Sequence, residues 1–269
     1  MSSKPAASLI ISTYNWPEAL ELSLRSVMAQ SVLPAEVIIA DDGSGAATKE
    51  LINKFQAAFP IPLIHIWHED KGFRKTIVLN MAIAKAKSEY IIQIDGDIII
   101  HHRFIEDHLS FSKPGSFVRA SRAYVDEKTT KDIIQHKRYK IHAFSKGITN
   151  VLSVLRIPFL WSLFETNYKN KGEEVYEIHG CNMAYWRKDL IAVNGYNELF
   201  NGWGPEDKEL IARMMNLGIQ KRFIKLGALA FHLFHKENSR NRLQKNTELF
   251  KDTIEKKIVF CEKGIDQYL

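Results

Sequence analysis

The sequence is poor in cysteine, with only two in 269 residues. Cys181 and Cys261 lie far apart and show no Cys/His spacing typical of a metal site, so we expect two free thiols in a reducing cytosol. The first residues lack the basic segment and long apolar core that a secretory signal requires. A cytoplasmic location is therefore the expectation.

Long apolar runs are also absent. The most apolar stretch outside the predicted strands, residues 151–164, is shorter than the roughly 20 residues that cross a bilayer, and it contains Arg156 and Pro158. We expect it to pack on the core or to line a groove. Because basic residues between positions 137 and 146 precede it, the alternative is peripheral contact with the inner surface of the cell membrane.

Neither charge nor hydrophobicity is extreme. The chain is 45% hydrophobic and 25% charged, which is typical of a globular protein and excludes a disordered or fibrous chain. The net charge of +6 suits an anionic small molecule, an acidic membrane surface or nucleic acid. Nucleic acid is not expected as a partner, because the sequence contains no recognisable nucleic-acid-binding motif.

Short β-rich runs alternate with helical periodicity at the start of the chain. The runs occupy positions 9–12, 37–40, 63–66 and 90–94. Helices are predicted between them, the first beginning at Pro17, and a later helix is predicted to begin at Pro205. This alternation predicts an α/β fold with a Rossmann-like, mostly parallel central sheet flanked by helices, whose ligands bind at the carboxyl ends of the strands. Residues 117–176 are predicted to form helices and long connections.

Polar side chains follow three of these runs and are expected to line one crevice. They are Thr13, Tyr14 and Asn15; Asp41, Asp42, Gly43 and Ser44; and Asp95, Gly96 and Asp97. Each cluster alone is also explained by a turn or a helix cap. Two carboxylates one glycine apart at the tip of a buried strand suit a hard divalent cation, which in turn holds phosphate. The sequence contains no GxGxxG or GxxxxGK[ST] loop, which argues against a dinucleotide or P-loop site.

Six segments occur in one order: SLIISTYN, EVIIADDGS, DKGFRKTIVLNMAI, YIIQIDGD, NGWGPEDKELIARMMNLG and FHLFH. This order resembles the inverting nucleotide-sugar glycosyltransferases of family 2, which have the GT-A fold. The GWGPED segment is also similar to the carboxyl-terminal motif of galactosyltransferases and bacterial chondroitin-type polymerases. The resemblance implies one GT-A domain over residues 1–240, with a nucleotide-binding half at about 8–110, an acceptor-side half at about 111–240, and a helical tail at 241–269.

The resemblance implies residues for the donor nucleotide. Asp41, supported by Asp42, would accept the N3 hydrogen of uracil, and the alternative is that one of the two caps the following helix. Tyr14 would stack on the uracil, and Arg74 would bind phosphate. The full set expected at the donor also includes Thr13, Asn15, Phe73, Asp95, Gly96, Asn182, Trp203 and His235.

The resemblance also implies a metal site and a base. Asp97 would ligate Mn²⁺ or Mg²⁺ with His232, while Asp95 would contact the ribose, a water ligand of the metal or the metal itself. His235 would replace His232 or touch the diphosphate. Inverting transfer needs one base to take the proton of the acceptor hydroxyl. Asp207 is expected in that role and Glu206 in binding hydroxyls, with the reverse assignment open. Asn182 would bind a hydroxyl, and Trp203 would support a sugar face.

The implied function is metal-dependent, inverting transfer of a hexose or N-acetylhexosamine from a UDP-sugar to a glycan or lipid-linked glycan, in the synthesis of a bacterial surface polysaccharide or lipopolysaccharide. One alternative is a sugar-nucleotide pyrophosphorylase, which would carry a Gly-rich, Arg-containing loop that residues 9–15 lack. The other is a non-catalytic nucleotide-sugar-binding protein, which would have lost the acidic residues that this chain retains.

Overall fold

Strands and helices alternate along the computed structural model, which describes residues 4–151, 155–167, 176–178, 180–236 and 242–269. The strands are β1 (Ala7–Thr13), β2 (Glu36–Asp41), β3 (Leu63–Trp67), β4 (Tyr90–Asp95), β5 (Ile98–Ile100), β6 (Ser116–Ala120), β7 (Arg122–Tyr124), β8 (Asn182–Trp186), β9 (Gln220–Ile224) and β10 (Ala230–His232). The helices are α1 (Pro17–Met28), α2 (Ala46–Gln56), α3 (Lys75–Lys85), α4 (Phe104–Phe111), α5 (Glu127–Gln135), α6 (Trp161–Asn167), α7 (Arg187–Ala192), α8 (Glu206–Asn216) and α9 (Leu243–Glu255). Short 3-10 helices cover Pro158–Leu160 and Ile265–Tyr268.

Seven strands form the central sheet in the order β3-β2-β1-β4-β8-β6-β9. All of them run parallel except β8, which is antiparallel to both of its neighbours. Apolar clusters pack on both faces of the sheet, so β1 and β2 are buried along their whole length. Strands buried on both faces need continuous apolar runs, which is the pattern that predicted them. The α/β class, the mostly parallel sheet and the helix starts at Pro17 and Pro205 are confirmed.

A second sheet of three strands, in the order β5-β10-β7, lies beyond the carboxyl end of β4. The chain leaves β4, makes a short turn at residues 96–97 and enters β5, which pairs with β10 so that Ile98 faces His232. The backbone N–H of Leu233 donates to the carbonyl of Asp97 at 3.0 Å. The small sheet therefore brings the end of β10 next to the turn that follows β4.

The prediction for residues 117–176 is wrong in one respect, because β6 and β7 lie at its start. Arginines at positions 119 and 122 interrupt the apolar pattern that marks the earlier strands. Both strands nevertheless pair along their length, β6 with β8 and β9, and β7 with β10. Pairing with strands distant in sequence supplies the stability that the local pattern lacks.

The expected tail at 241–269 packs against the rest of the fold through α9. The amide of Asn216 on α8 donates to the carbonyls of Thr253 and Ile258, and the hydroxyl of Thr253 donates to Glu209. Both cysteines are buried and free, as predicted.

Within the apolar stretch at 151–164, residues 152–154 lie outside the described part of the chain. Trp161 packs on the core, and its indole N–H donates to the carbonyl of Leu226 at 2.8 Å, whereas Phe159 is 81% exposed. Among the described residues, no helix is both long enough and apolar enough to cross a bilayer.

Candidate active site

The ends of β1, β2 and β4 meet at one edge of the central sheet, as predicted. The backbone N–H of Gly96 donates to the carbonyl of Ser12 at 2.7 Å, and that of Asp42 donates to the carbonyl of Thr13 at 3.0 Å. A Cβ at Gly96 would lie 3.0 Å from the Thr13 hydroxyl, which is closer than ordinary packing allows. A glycine at position 96 therefore lets the turn after β4 pack tightly against β1.

Asp97, His232 and His235 form a cluster that can hold a metal ion. One ligand atom from each lies within 4.8 Å of the others. The Nε2 atoms of His232 and His235 are 3.6 and 3.3 Å from Asp97 Oδ2. Asp97 Oδ1 is buried without a hydrogen-bond partner among the described residues, which is the condition of a ligand atom aimed at an absent cation. One carboxylate and two imidazoles are ordinary divalent-metal ligands, so the residues fit the expected cation.

Electrostatics at this cluster agree with metal binding. Burial lowers the pKa of His232 to about 4, so its imidazole is neutral near pH 7, and the neutral form is the one that ligates metals. Burial and the charge of Asp95 raise the pKa of Asp97 to about 7 in the metal-free protein. A bound cation would favour the ionised carboxylate over the protonated one.

Asp95 is not one of the three residues of this cluster, and its assignment as a direct metal ligand stays a prediction. Its Oδ1 accepts from Lys75 Nζ at 2.7 Å and from the Ser12 hydroxyl at 2.6 Å. Burial opposes its ionisation, but Lys75 and Ser12 outweigh burial and lower its pKa to about 2. Lys75 was not predicted as a site residue, although it directly follows Arg74 in the DKGFRK segment. It is the first residue of α3, and its stem is packed in the interior.

Glu206 and Asp207 begin α8 and face the same interior space as Lys75. Asp207 Oδ1 accepts from the Tyr196 hydroxyl at 2.9 Å, and a side chain at Gly180 would collide with Asp207. Burial raises the pKa of Asp207, while Lys75 opposes the shift. Burial and Asp207 together raise the pKa of Glu206 to about 8, and Glu206 Oε2 has no hydrogen-bond partner among the described residues. Two buried acids with unequal environments therefore lie beside one lysine.

Asp41 does not fit the predicted contact with uracil. It is fully buried, and its two oxygens are already occupied: Oδ1 accepts from the backbone N–H of Ser44 at 2.8 Å, and Oδ2 lies 2.8 Å from His65 Nε2. Asp41 therefore shapes the turn after β2 rather than facing a ligand. Asp42 is slightly exposed; it accepts from the backbone N–H of Arg74 at 3.0 Å and lies 2.7 Å from His68 Nε2.

Other predicted donor residues surround Asp42. Tyr14 is 52% exposed, and its hydroxyl donates to Asp70 at 2.9 Å, which leaves its ring face accessible. Asn15 adopts a left-handed backbone conformation and accepts from the N–H of Gly45 at 2.9 Å. The guanidinium of Arg74 donates to the carbonyl of Glu69, while its Nε is buried without a partner in the described part of the chain.

Asn182, which is predicted to bind a sugar hydroxyl, makes its side-chain contacts within the protein in this structure. Asn182 is fully buried; its amide N–H groups donate to the carbonyls of Ser121 and Ala228, and its oxygen lies 3.0 Å from His108 Nε2. It ties β8 to the strands around it. No polar atom of its side chain remains for a substrate.

Trp203, which is predicted to support a sugar face, lies in the GWGPED loop that leads into α8. The backbone N–H of Gly202 donates to the carbonyl of Phe73, which joins this loop to the DKGFRK segment. The amide of Asn246 on α9 lies 3.2 Å from the carbonyls of Gly202 and Trp203. The carboxyl-terminal tail thus holds the GWGPED loop, a contact that its polar sequence does not indicate.

Arg122 on β7 is a further residue that the sequence did not single out. Its NH1 donates to Cys181 Sγ at 3.0 Å, and its guanidinium stacks 4.9 Å above the ring of Tyr124. The Tyr124 ring in turn contacts His232 edge-on, with centroids 5.6 Å apart. Finding Arg122 from sequence would have required recognition of β7.

Comparison with known proteins agrees with this geometry. A family model described as glycosyl transferase family 2 matches residues 8–193, and one described as the N-terminal domain of galactosyltransferase matches residues 162–236. The chain is 26% identical over 237 residues to the chondroitin synthase of Pasteurella multocida and 25% identical over 240 residues to that of Escherichia coli. Each match covers 84% of this chain, but this chain spans 24% and 34% of those two relatives.

Solved structures show the same fold. The mannosyltransferase PcManGT from Pyrobaculum calidifontis, in complex with GDP-Man and Mn²⁺, is similar with a TM-score of 0.62 and 18% identity, over 88% of this chain and 59% of that one. TarS 1-349 from S. aureus in complex with UDP is similar with a TM-score of 0.63 and 14% identity, over 98% of this chain and 68% of that one. The expected GT-A fold is confirmed. The chain belongs to glycosyl transferase family 2.

Proposed function

We propose that this protein transfers a hexose or N-acetylhexosamine from a UDP-sugar to a glycan acceptor, with inversion at the anomeric carbon and with a divalent metal ion. The observation that carries the proposal is the Asp97, His232 and His235 cluster, in which the buried Oδ1 of Asp97 has no hydrogen-bond partner in the described chain. Similar proteins support it: two relatives are named chondroitin synthase, and the two structures contain UDP or GDP-Man with Mn²⁺. The family match removes the pyrophosphorylase alternative.

Asp97, His232 and His235 are the residues that would hold the metal. When bound, the cation neutralises charge that develops on the departing diphosphate. Two imidazoles in the set favour Mn²⁺ over Mg²⁺, because Mg²⁺ prefers oxygen ligands. Lys75 and Ser12 hold the carboxylate of Asp95 at the end of β4, where Asp95 is proposed to orient the ribose.

Asp207 is the proposed base. The Tyr196 hydroxyl and the charge of Lys75 both favour its ionised form, whereas a pKa of about 8 keeps Glu206 protonated at neutral pH. Two acids whose environments separate their pKa values divide the roles of proton acceptor and donor between them. Asp207 therefore takes the proton of the acceptor hydroxyl, and protonated Glu206 donates a hydrogen bond to a sugar hydroxyl.

The nucleotide is proposed to lie along the β1 and β2 ends. Asp42, which is 6% exposed where Asp41 is fully buried, is proposed as the carboxylate nearest the base. The exposed ring of Tyr14 can stack on uracil, with Thr13 and Asn15 beside it. Phe73 and Arg74 border the same space, and Trp203 supports the sugar.

The reaction is proposed to serve assembly of a bacterial surface polysaccharide or lipopolysaccharide in the cytoplasm, with a glycan or lipid-linked glycan as acceptor. The bacterial relatives named chondroitin synthase support this setting. The exposed Phe144 and Phe159, together with the basic residues at 137–146, support peripheral contact with the inner membrane surface.

The test is a thermal-shift and turnover screen of nucleotide sugars with Mn²⁺. A UDP-sugar is expected to stabilise the protein, chelator is expected to remove the effect, and turnover is expected with a glycan acceptor. Asp97→Ala and Asp207→Asn are expected to abolish transfer in folded protein, whereas the surface control Asp252→Asn is expected to retain it, since Asp252 pairs only with exposed Lys256. Full turnover in Asp97→Ala and Asp207→Asn would refute the proposed function.

A further inference from the structure

Arg122 is a largely buried cation that has no carboxylate partner. Its N–H groups donate to the Cys181 thiol at 3.0 Å and to the Tyr124 hydroxyl at 2.5 and 3.1 Å. In the part of the chain that the structure describes, no acid forms an ion pair with it. Three other arginines are each neutralised by an acid, in the pairs Arg156–Asp107, Arg213–Glu209 and Arg222–Glu165, whereas the half-buried Arg187 donates to the carbonyls of Ile83 and Ala84.

The charge of Arg122 is not balanced by its two neighbours. Burial raises the pKa of the Cys181 thiol to about 12, so Cys181 is neutral at pH 7, and a tyrosine phenol is likewise neutral there. A guanidinium has five N–H groups, and the contacts to Cys181 and Tyr124 use three of them. A buried cation with spare donors costs free energy unless an anion pairs with it.

Arg122 lies close enough to the metal cluster and to the proposed base for its charge to act on His232 and on Asp207. In the small sheet, Arg122 pairs with Ala230 and Tyr124 pairs with His232, so the side-chain alternation of strands puts Arg122, Tyr124 and His232 on one face. The guanidinium of Arg122 lies over the ring of Tyr124, which contacts the His232 ring edge-on.

We propose that Arg122 binds a phosphoryl oxygen of the donor diphosphate, across from the metal cluster. This assignment rests on the proposed function. The planar fork of a guanidinium matches phosphate oxygens, and charge-assisted hydrogen bonds of this kind are among the strongest in proteins. Tyr124 and Cys181 then serve to hold the fork in place.

In the reaction, the acceptor oxygen forms a bond to the anomeric carbon while its proton passes to Asp207. The bond between the anomeric carbon and the phosphate oxygen breaks, and its electron pair stays on the departing diphosphate. Arg122 remains protonated throughout and donates more strongly to the oxygen as negative charge grows there. It thereby stabilises the leaving group more in the transition state than in the bound donor.

Calorimetric titration of UDP and of uridine, each with Mn²⁺, tests the proposal on the wild type, Arg122→Gln and Arg122→Lys. Arg122→Gln is expected to weaken UDP binding about 10- to 100-fold and to leave uridine binding unchanged. Arg122→Lys keeps the charge but loses the fork, and a loss of about 3- to 10-fold is expected. The matched control is Arg25→Gln, because Arg25 pairs with Glu21 on the surface of α1.

Unchanged UDP affinity in the folded Arg122 variants would overturn the assignment. Equal weakening of UDP and uridine would overturn it as well, because it would show a general distortion of the site. Arg122→Lys keeps the test decisive if Arg122→Gln does not fold. Failure of the wild type to bind UDP at all would instead refute the proposed function, so the two failures are distinguishable.

Discussion

Replacement of Glu206 by glutamine is expected to stabilise the metal-free protein at neutral pH. The folded protein raises the pKa of Glu206 from 4.5 to about 8, because the carboxyl is buried beside Asp207. Below pH 4.5 the proton is bound in both the folded and the unfolded chain. As the pH rises toward 8 the unfolded chain loses that proton first, so stability falls through this interval.

The size of the effect follows from the two pKa values. A pH of 7 lies 2.5 units above the pKa of 4.5 in the unfolded chain, and each unit corresponds to about 1.4 kcal/mol. Glu206 therefore lowers the free energy of unfolding at pH 7 by about 3 kcal/mol relative to acid pH. Glutamine has nearly the same shape and no proton to lose. For a chain of this size, about 3 kcal/mol corresponds to a rise in Tm of about 6 to 12 °C.

Thermal and urea unfolding of the wild type and of Glu206→Gln, in chelator and between pH 4.5 and 8, measures this difference. The two proteins are expected to differ least at pH 4.5 and increasingly as the pH rises. Glu255→Gln on the exposed side of α9 is the control, and its difference from the wild type is expected to be flat with pH. A pH-independent difference for Glu206→Gln would refute the electrostatic argument.

Two further predictions concern the metal cluster and the tail. Replacement of His232 by alanine is expected to weaken Mn²⁺ binding at least tenfold, measured by calorimetry without substrate, while replacement of His136, just after α5, by alanine leaves it unchanged. Equal affinity in both variants would remove His232 from the site. Asn246→Ala is expected to lower the free energy of unfolding, measured by urea denaturation, by about 1 to 3 kcal/mol, because it leaves carbonyls of the Trp203 loop without their donor. A loss under about 0.5 kcal/mol would contradict the contact.

Much of the fold and part of the site could be predicted from local pattern. Continuous apolar runs identified β1 to β4, and parallel pairing then places Thr13, Asp42 and Asp97 at one edge. His232 was expected to bind the metal because its FHLFH segment follows the other five segments in the order that resembles the family. The cluster with Asp97 and His235 agrees with that expectation. Glu206 and Asp207 follow Pro205 at a helix start that the sequence marks clearly.

The surroundings of other predicted site residues depend on contacts that are distant in sequence, which local pattern does not show. Asp41 and Asp42 are adjacent and chemically identical, and only the position of His65 on the neighbouring strand shows that Asp41 is occupied. Asn182 has the residue type of a sugar ligand, yet carbonyls at positions 121 and 228 take both of its N–H groups.

The sequence by itself determined the sheet, its ligand-binding edge and the chemical types of the site residues, because burial periodicity and turn residues act over a few positions. The tertiary structure decided which acids are free and which cations are unpaired. Lys75 is neutralised by Asp95, whereas the side-chain hydrogen bonds of Arg122 within the described part of the chain go to a thiol and a phenol. That difference depends on which strands meet, since pairing of β7 with β10 is what brings Arg122 to the site.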